Sequence, residues 1–181
     1  MSAPDGSAPA SFGWMRATEA GLSFRPLTDR DLPFLYQVYA STRTEELAPL
    51  PWSDDQKAEF LNQQFRAQHA DYERNYSGAD RLVVSLSGEP VGRLYLDRGD
   101  REYSVIDIAL LPEYRSRGLG GAVMRDLIDE AARANKPLSI YVEKFNPALR
   151  LYRRLGFKTT EDKGVYDLMR WTAEIQVNTA S

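Results

Sequence analysis

The stretch from Ile106 to Ala122, Ile-Asp-Ile-Ala-Leu-Leu-Pro-Glu-Tyr-Arg-Ser-Arg-Gly-Leu-Gly-Gly-Ala, holds the residues whose types and spacing best suit chemistry. An apolar run reads as a strand, a turn with Arg115, Arg117, Gly118, Gly120 and Gly121 follows, and a helical period begins at Leu119. Such a turn can present unpaired backbone N–H groups, with the helix dipole behind them, to an anion. A side chain at the glycine positions would hold the main chain away from phosphate oxygens. The chemistry implied is binding of a phosphorylated ligand. A P-loop is excluded because no Gly-Lys-Ser/Thr follows, and a dinucleotide loop fits poorly because Val123 stands where a third glycine belongs. On the loop alone, an ordinary glycine-assisted turn without a ligand stays open.

Composition narrows what could act beside this loop. The chain has no cysteine, which excludes a disulfide framework, a thiolate nucleophile and a sulfur-ligated metal. Its single histidine, His69, reads as a solvated helix residue and cannot build a histidine metal cluster, so no metal is expected. A net charge of -3 argues against a nucleic-acid partner and favours a cationic substrate. No apolar run approaches the ~20 residues that span a bilayer, so no membrane partner and a cytoplasmic location are expected. Residues 1–21, rich in Ala, Ser, Pro and Gly, read as a disordered tail and 173–181 as a second flexible one, leaving one domain over 22–172.

The elements that must position the loop follow from periodicity. Leu22–Leu27 alternates as a strand. Leu32, Leu35, Tyr36 and Tyr39 repeat at helical spacing after Asp31 and Pro33. Ser53-Asp-Asp-Gln56 has capping-box form and opens a helix to about Tyr72. Strand-like runs at 81–87, 90–97 and 102–111 make two hairpins, and the Arg98-Gly99-Asp100 string between strands is turn chemistry. A helix from Leu119 toward Asn135, a strand at 138–142, a short helix at 147–155 stopped by Gly156, and a closing hairpin around Lys163-Gly164 complete the chain. The order is that of a mixed α/β domain.

Two segments resemble the signatures of one family. Arg115-Ser-Arg-Gly-Leu-Gly120 resembles the Gln/Arg-x-x-Gly-x-Gly/Ala motif of the GNAT superfamily of acyl-CoA-dependent N-acyltransferases. Asn146-Pro-Ala-Leu-Arg-Leu-Tyr-Arg-Arg-Leu-Gly-Phe157 resembles its second motif, in the family's order, with Asn146 one residue closer to Tyr152 than in many relatives. The resemblance implies an α/β fold with a mixed, mostly antiparallel central sheet of about seven strands flanked by about four helices. It implies acetyl-CoA as co-substrate, an amine acceptor, and compatibility with a homodimer. It places Ile108, Ala109 and Leu110 along the pantetheine arm, paired through their backbone. Arg115, Ser116, Arg117, Gly118, Leu119 and Gly120 would hold the pyrophosphate. Asn146 and Tyr152 would lie beside the cofactor, with Tyr152 matching the tyrosine that often protonates the departing sulfur.

Acyl transfer to an amine also needs a proton acceptor, because a free alkyl ammonium has a pKa near ~10. The candidates are Asp107 on the central strand, Glu143 at the end of the next strand, and Glu46 in the loop after the first helix. A backbone N–H of the central strand is expected to meet the oxyanion. Trp52, Phe60, Phe65, Tyr72 and Tyr76 suit a buried helix face at least as well as an acceptor pocket. The expected activity is acetyl transfer from acetyl-CoA directly to a primary amine of a small molecule. The alternatives are a catalytically silent acyl-CoA-binding regulatory module and an acetyltransferase for protein or peptide amines.

Overall fold

The computed structural model of the chain describes residues 12–173. A seven-stranded sheet in the order β1-β2-β3-β4-β5-β7-β6 runs through the molecule, built from β1 (Leu22–Pro26), β2 (Asp80–Leu86), β3 (Glu89–Arg98), β4 (Tyr103–Leu110), β5 (Leu138–Glu143), β6 (Lys158–Lys163) and β7 (Tyr166–Trp171). Every neighbouring pair is antiparallel except β4 with β5. The helices are α1 (Met15–Glu19), α2 (Leu32–Leu47), α3 (Asp54–Asn75), α4 (Leu119–Arg133) and α5 (Leu149–Arg154). This is the expected fold class, with one helix more than expected among the described residues.

Strand alternation divides the core between the two faces. Leu82, Val84, Leu94 and Leu96 pack with α1, with Val123, Met124 and Leu127 of α4, and with Leu149 and Tyr152 of α5. Phe65 of α3 packs on Leu35 and Tyr39 of α2 in a separate cluster, and α2 lies against β3 and β4. The capping box of α3 is present, with Ser53 Oγ accepting from the Gln56 N–H at 3.2 Å and Gln56 Oε1 accepting from the Ser53 N–H at 2.9 Å.

The tail expected over 1–21 is corrected at its C-terminal part. Trp14 is only 3% exposed, stacks on Phe12 with centroids 4.4 Å apart, meets Phe24 edge-on, and donates to Glu130 at 2.8 Å. Asp126 of α4 accepts from the N–H groups of Arg16 at 3.2 Å and Ala17 at 2.8 Å, so it caps α1 from another element. A low-hydrophobicity segment packs here because one tryptophan and one buried carboxylate anchor it. The remainder of that tail, and residues 174–181, lie outside the described residues. Helix α2 also runs beyond its expected end, so Glu46 is helical rather than in a loop. Asp31 accepts from Thr28 in a 3-10 turn and pairs with Arg25, leaving α2 without a side-chain cap.

Candidate active site

The sheet opens at its parallel pair. β4 and β5 are paired at Tyr103–Leu138, Ser104–Ser139 and Val105–Ile140, and no farther. On the other edge of β4, Tyr95 faces Asp107 and Leu96 faces Val105, so Ile106 is an extra residue without a partner on β3. Such a bulge bends the strand that carries it. It falls at the last β4–β5 pair, so β4 turns away while β5 stays with β7 as far as Glu143–Tyr166.

The phase of the β3–β4 ladder shows which backbone groups face the gap. Leu111 N–H donates to Val91 C=O at 2.8 Å. Antiparallel residues alternate between exchanging both bonds and turning both groups outward. Asp107 and Ala109 therefore point their N–H and C=O at β3, while Ile108 and Leu110 point theirs into the gap. The Leu110 carbonyl is already taken by Arg115 Nε at 2.9 Å. Of the three expected pantetheine-contacting residues, Ile108 keeps both groups open and Leu110 its N–H, whereas Ala109 is committed to the sheet.

Beyond the 3-10 turn Pro112–Tyr114, Ser116 at φ 58° and Gly118 at φ 79° bring the chain into α4, with Gly118 as N-cap. Ala122 N–H makes the first intrahelical bond, to Gly118 C=O. The N–H groups of residues 116–121 donate to no protein acceptor among the described residues. Gly118 is demanded by its left-handed backbone. Gly120 is not, since it is helical and a Cβ built there meets nothing within 4 Å. A glycine that neither backbone nor packing requires, at the mouth of unpaired donors, fits a phosphate group in close approach.

The loop side chains make contacts within the chain. Arg115 ties α4's approach to Leu110 and, through Nη2, to Ser41 Oγ at 3.2 Å. Arg117 lies over the Tyr114 ring at 5.4 Å. Asn146 accepts from Ala148 N–H at 2.9 Å in an Asx turn that starts α5, and it is exposed.

Tyr152 is placed by the end of α5. Gly156 N–H reaches Arg153 C=O and Phe157 N–H reaches Tyr152 C=O, a Schellman stop whose accompanying apolar contact is Phe157 on the Tyr152 ring at 5.9 Å. The residue is 5% exposed, yet its hydroxyl has no hydrogen-bond partner among the described residues and is not sealed from solvent. Burial first, and the negative charge of Asp107 second, push this phenol up to about 12.

Asp107 lies in a polar cluster roofed by α3. Its Oδ2 accepts from Arg93 Nη2 at 2.7 Å and from the Tyr72 hydroxyl at 3.1 Å. Gln68 Oε1 takes a second bond from Arg93 Nη2 at 3.0 Å. Burial, then Asp107, raise the Tyr72 phenol far above the usual tyrosine range. Arg93 and Gln68 were missed as site residues, and Tyr72 was weighed only as an aromatic of a helix face or an acceptor pocket. A charged residue in the apolar run Val91–Leu96 was the one available signal for Arg93.

The remaining carboxylates are engaged elsewhere. Glu143 accepts from Arg43 Nη1 at 2.8 Å and from Tyr166 at 3.4 Å, and Glu46 pairs with the same Arg43 at 3.2 Å. His69 is not the solvated residue expected: it stacks on Phe65 and lies 3.4 Å from Glu73. No metal-competent cluster exists among the described residues. Of the expected aromatic face, Phe65 is core and Tyr72 meets Asp107, while Trp52 and Phe60 pair with each other at 5.3 Å and stay partly exposed. A groove of about 390 Å³ between α2 and α3, lined by Leu32, Tyr36, Phe65 and His69, includes none of the groups at the gap.

A mixed sheet parted at its one parallel pair, with free strand groups in the gap and an anion-ready helix N-terminus beside it, suits an extended ligand that carries phosphate. The chain belongs to the GNAT acetyltransferase family, whose model, described as acetyltransferase (GNAT) family, matches residues 35–157. Acetyl-CoA is the acyl donor of that family. Solved structures share the fold. The PaiA N-acetyltransferase of Thermoplasma acidophilum, in complex with coenzyme A, aligns with a TM-score of 0.64 at 18% identity over 84% of this chain and 99% of its own. PH1933 of Pyrococcus horikoshii OT3 aligns with 0.62 at 17% over 85% and 99%. A GCN5-related N-acetyltransferase of Rhodopseudomonas palustris aligns with 0.59 at 19% over 83% and 94%. No curated protein sequence matches the chain. No helix among the described residues is long and apolar enough to cross a membrane.

Proposed function

We propose that the protein transfers the acetyl group of acetyl-CoA directly to a primary amine of a small molecule, with Asp107 as proton acceptor and Tyr152 as proton donor. The observation that carries this reading is a carboxylate with one oxygen free on the parted strand and, on α5, a phenol without a hydrogen-bond partner that the charge of that carboxylate reaches. The bound thioester supplies an electrophilic carbonyl and a thiolate leaving group. Ile108 N–H is the open strand donor able to stabilise charge on the carbonyl oxygen. Asp107 Oδ1 takes the proton lost by the attacking nitrogen, directly or through a water. Tyr152 Oη gives its proton to the departing sulfur, and the proton on Asp107 then restores the phenol. The N–H groups of residues 116–121 hold the pyrophosphate, and the open groups of Ile108 and Leu110 pair with the pantetheine amides. Glu143, bound to Arg43, shapes the mouth instead of taking the proton.

Free thiol is followed with acetyl-CoA and a panel of polyamines, amino acids, aminoglycosides and peptides. Tyr152→Phe is expected to lower kcat by about 10²- to 10⁴-fold with acetyl-CoA affinity within a few-fold of the wild type. Because the phenol titrates at about 12, the wild-type alkaline limb lies above the ordinary tyrosine range and vanishes in the variant. A kcat near the wild-type value, with chemistry rate-limiting, removes Tyr152 from the reaction. Thiol release with peptides alone moves the acceptor class to protein amines, and none with any amine favours a silent binding module.

A further inference from the structure

We infer that Tyr72 and Arg93 are positioning residues which grip Asp107 by Oδ2 alone and so aim Oδ1 at the reacting nitrogen. The inference rests on the reading of Asp107 as proton acceptor given above. Another ion pair in the chain provides the contrast. Arg25 and Asp31 meet fork to fork, Nη1 on Oδ2 at 2.8 Å and Nη2 on Oδ1 at 2.7 Å, using both carboxylate oxygens. That bidentate geometry adds energy and fixes both carboxylate oxygens at once. Asp107 receives two donors from two different elements on one oxygen, and Oδ1 accepts no bond among the described residues and is not sealed from solvent.

The cluster is also poorly arranged for stability. Arg93 is 3% and Tyr95 1% exposed, and Arg93 Nε and the Tyr95 hydroxyl are buried without partners. Each orphan of this kind costs about 1–3 kcal/mol, and buried ion pairs are often replaced by apolar residues without loss. Packing alone would favour an apolar centre under α3. A donor pair fixed on one oxygen does what packing does not: it sets the direction of the carboxylate's remaining lone pairs. Because Tyr72 comes from α3 and Arg93 from β3, seating α3 on the sheet completes this grip.

The groups facing Asp107 are Arg93 and Tyr95 from β3, Tyr72 from α3 and Tyr152 from α5, with neutral Gln68 behind Arg93. Removing the Tyr72 hydroxyl takes one of the two donors off Oδ2, so the carboxylate can turn and Oδ1 is no longer aimed. The test uses the full chain with spermidine, or whichever panel amine is acetylated fastest, and measures kcat, KM for the amine, acetyl-CoA affinity by calorimetry, and Tm. In Tyr72→Phe kcat is expected to fall by about tenfold to a hundredfold, with KM for the amine and acetyl-CoA affinity within a few-fold of wild type. Arg93→Lys, which keeps the charge and loses the fixed direction of the guanidinium, lowers kcat in the same way and serves if Tyr72→Phe does not fold. Wild-type kcat in folded Tyr72→Phe or Arg93→Lys, while Asp107→Asn abolishes turnover, overturns the inference and leaves the proton-acceptor reading standing. Wild-type kcat in Asp107→Asn removes that reading and the inference together.

Discussion

The turn at the start of α4 and the cluster under α3 solve opposite problems with opposite materials. At the turn the main chain is left unpaired: residues 116–121 offer N–H groups to no protein acceptor, and Gly120 leaves the space in front of them empty. Under α3 side chains drawn from α3, β3 and β4 pair with one another and leave one oxygen of Asp107 open. An anion of fixed shape can be met by backbone dipoles, which need only local conformation and the absence of Cβ atoms. A single proton must be met by one lone pair, aimed by groups that the chain brings together from afar.

If the turn works through main-chain donors, filling the space in front of them has the largest effect available. Gly120→Glu keeps a helical conformation and places an anion where the phosphates approach, and calorimetry is expected to show acetyl-CoA affinity reduced about a hundredfold or more. Gly118→Glu adds backbone strain at φ 79° to the same repulsion, so Gly120→Glu is the cleaner variant. Unchanged affinity in folded Gly120→Glu would show that the turn is only a turn, and the comparison would collapse.

A second variant separates the turn's local geometry from the seating of the helix behind it. Trp14 lies behind α4, bonded to Glu130 and packed on Phe24. Trp14→Ala is expected to cost about 3–5 kcal/mol, seen as a fall of about 10 °C in Tm. Below the melting range its acetyl-CoA affinity should match the wild type, because the donors at 116–121 are set by the backbone of the turn. An unchanged Tm would return residues 12–21 to the status of a tail, and a parallel loss of affinity would show that the turn depends on the rear packing of α4.

The same contrast explains what could be read in the sequence. The sheet, the hairpins and the α4 turn were legible because periodicity, glycine and turn residues are local signals, and so was the stop at Gly156 that seats Tyr152. Helix α1 was not, since its stability comes from Asp126 and Glu130, more than a hundred positions away. The family resemblance assigned the backbone from Arg115 to Gly120 to the pyrophosphate and left the Arg115 side chain open, and that side chain reaches back to Leu110 and across to Ser41 through contacts no local pattern announces. Asp107 could be nominated as an acid on the central strand, but which of its oxygens is free depends on Tyr72, Arg93 and the register of β3. Glu143 looked equivalent until α2 brought Arg43 to it.

The smallest expected effect tests the comparison most finely, because it sets fold against site at one methyl group. Gly120 sits in the first turn of α4, where alanine is the better helix former by up to about 1 kcal/mol, and a Cβ there touches no protein atom. Were the turn purely structural, Gly120→Ala would raise Tm by a few degrees at most and change nothing else. If phosphate oxygens must approach the N–H groups closely, the methyl stands in their path, and acetyl-CoA affinity falls by about tenfold while Tm holds or rises. Thermal melts and calorimetry on the same preparation give both quantities, and their opposite signs are the signature of a glycine kept for a ligand at the expense of the helix. A rise in Tm with undiminished affinity would leave Gly120 without a role at the turn and return the unpaired donors to water.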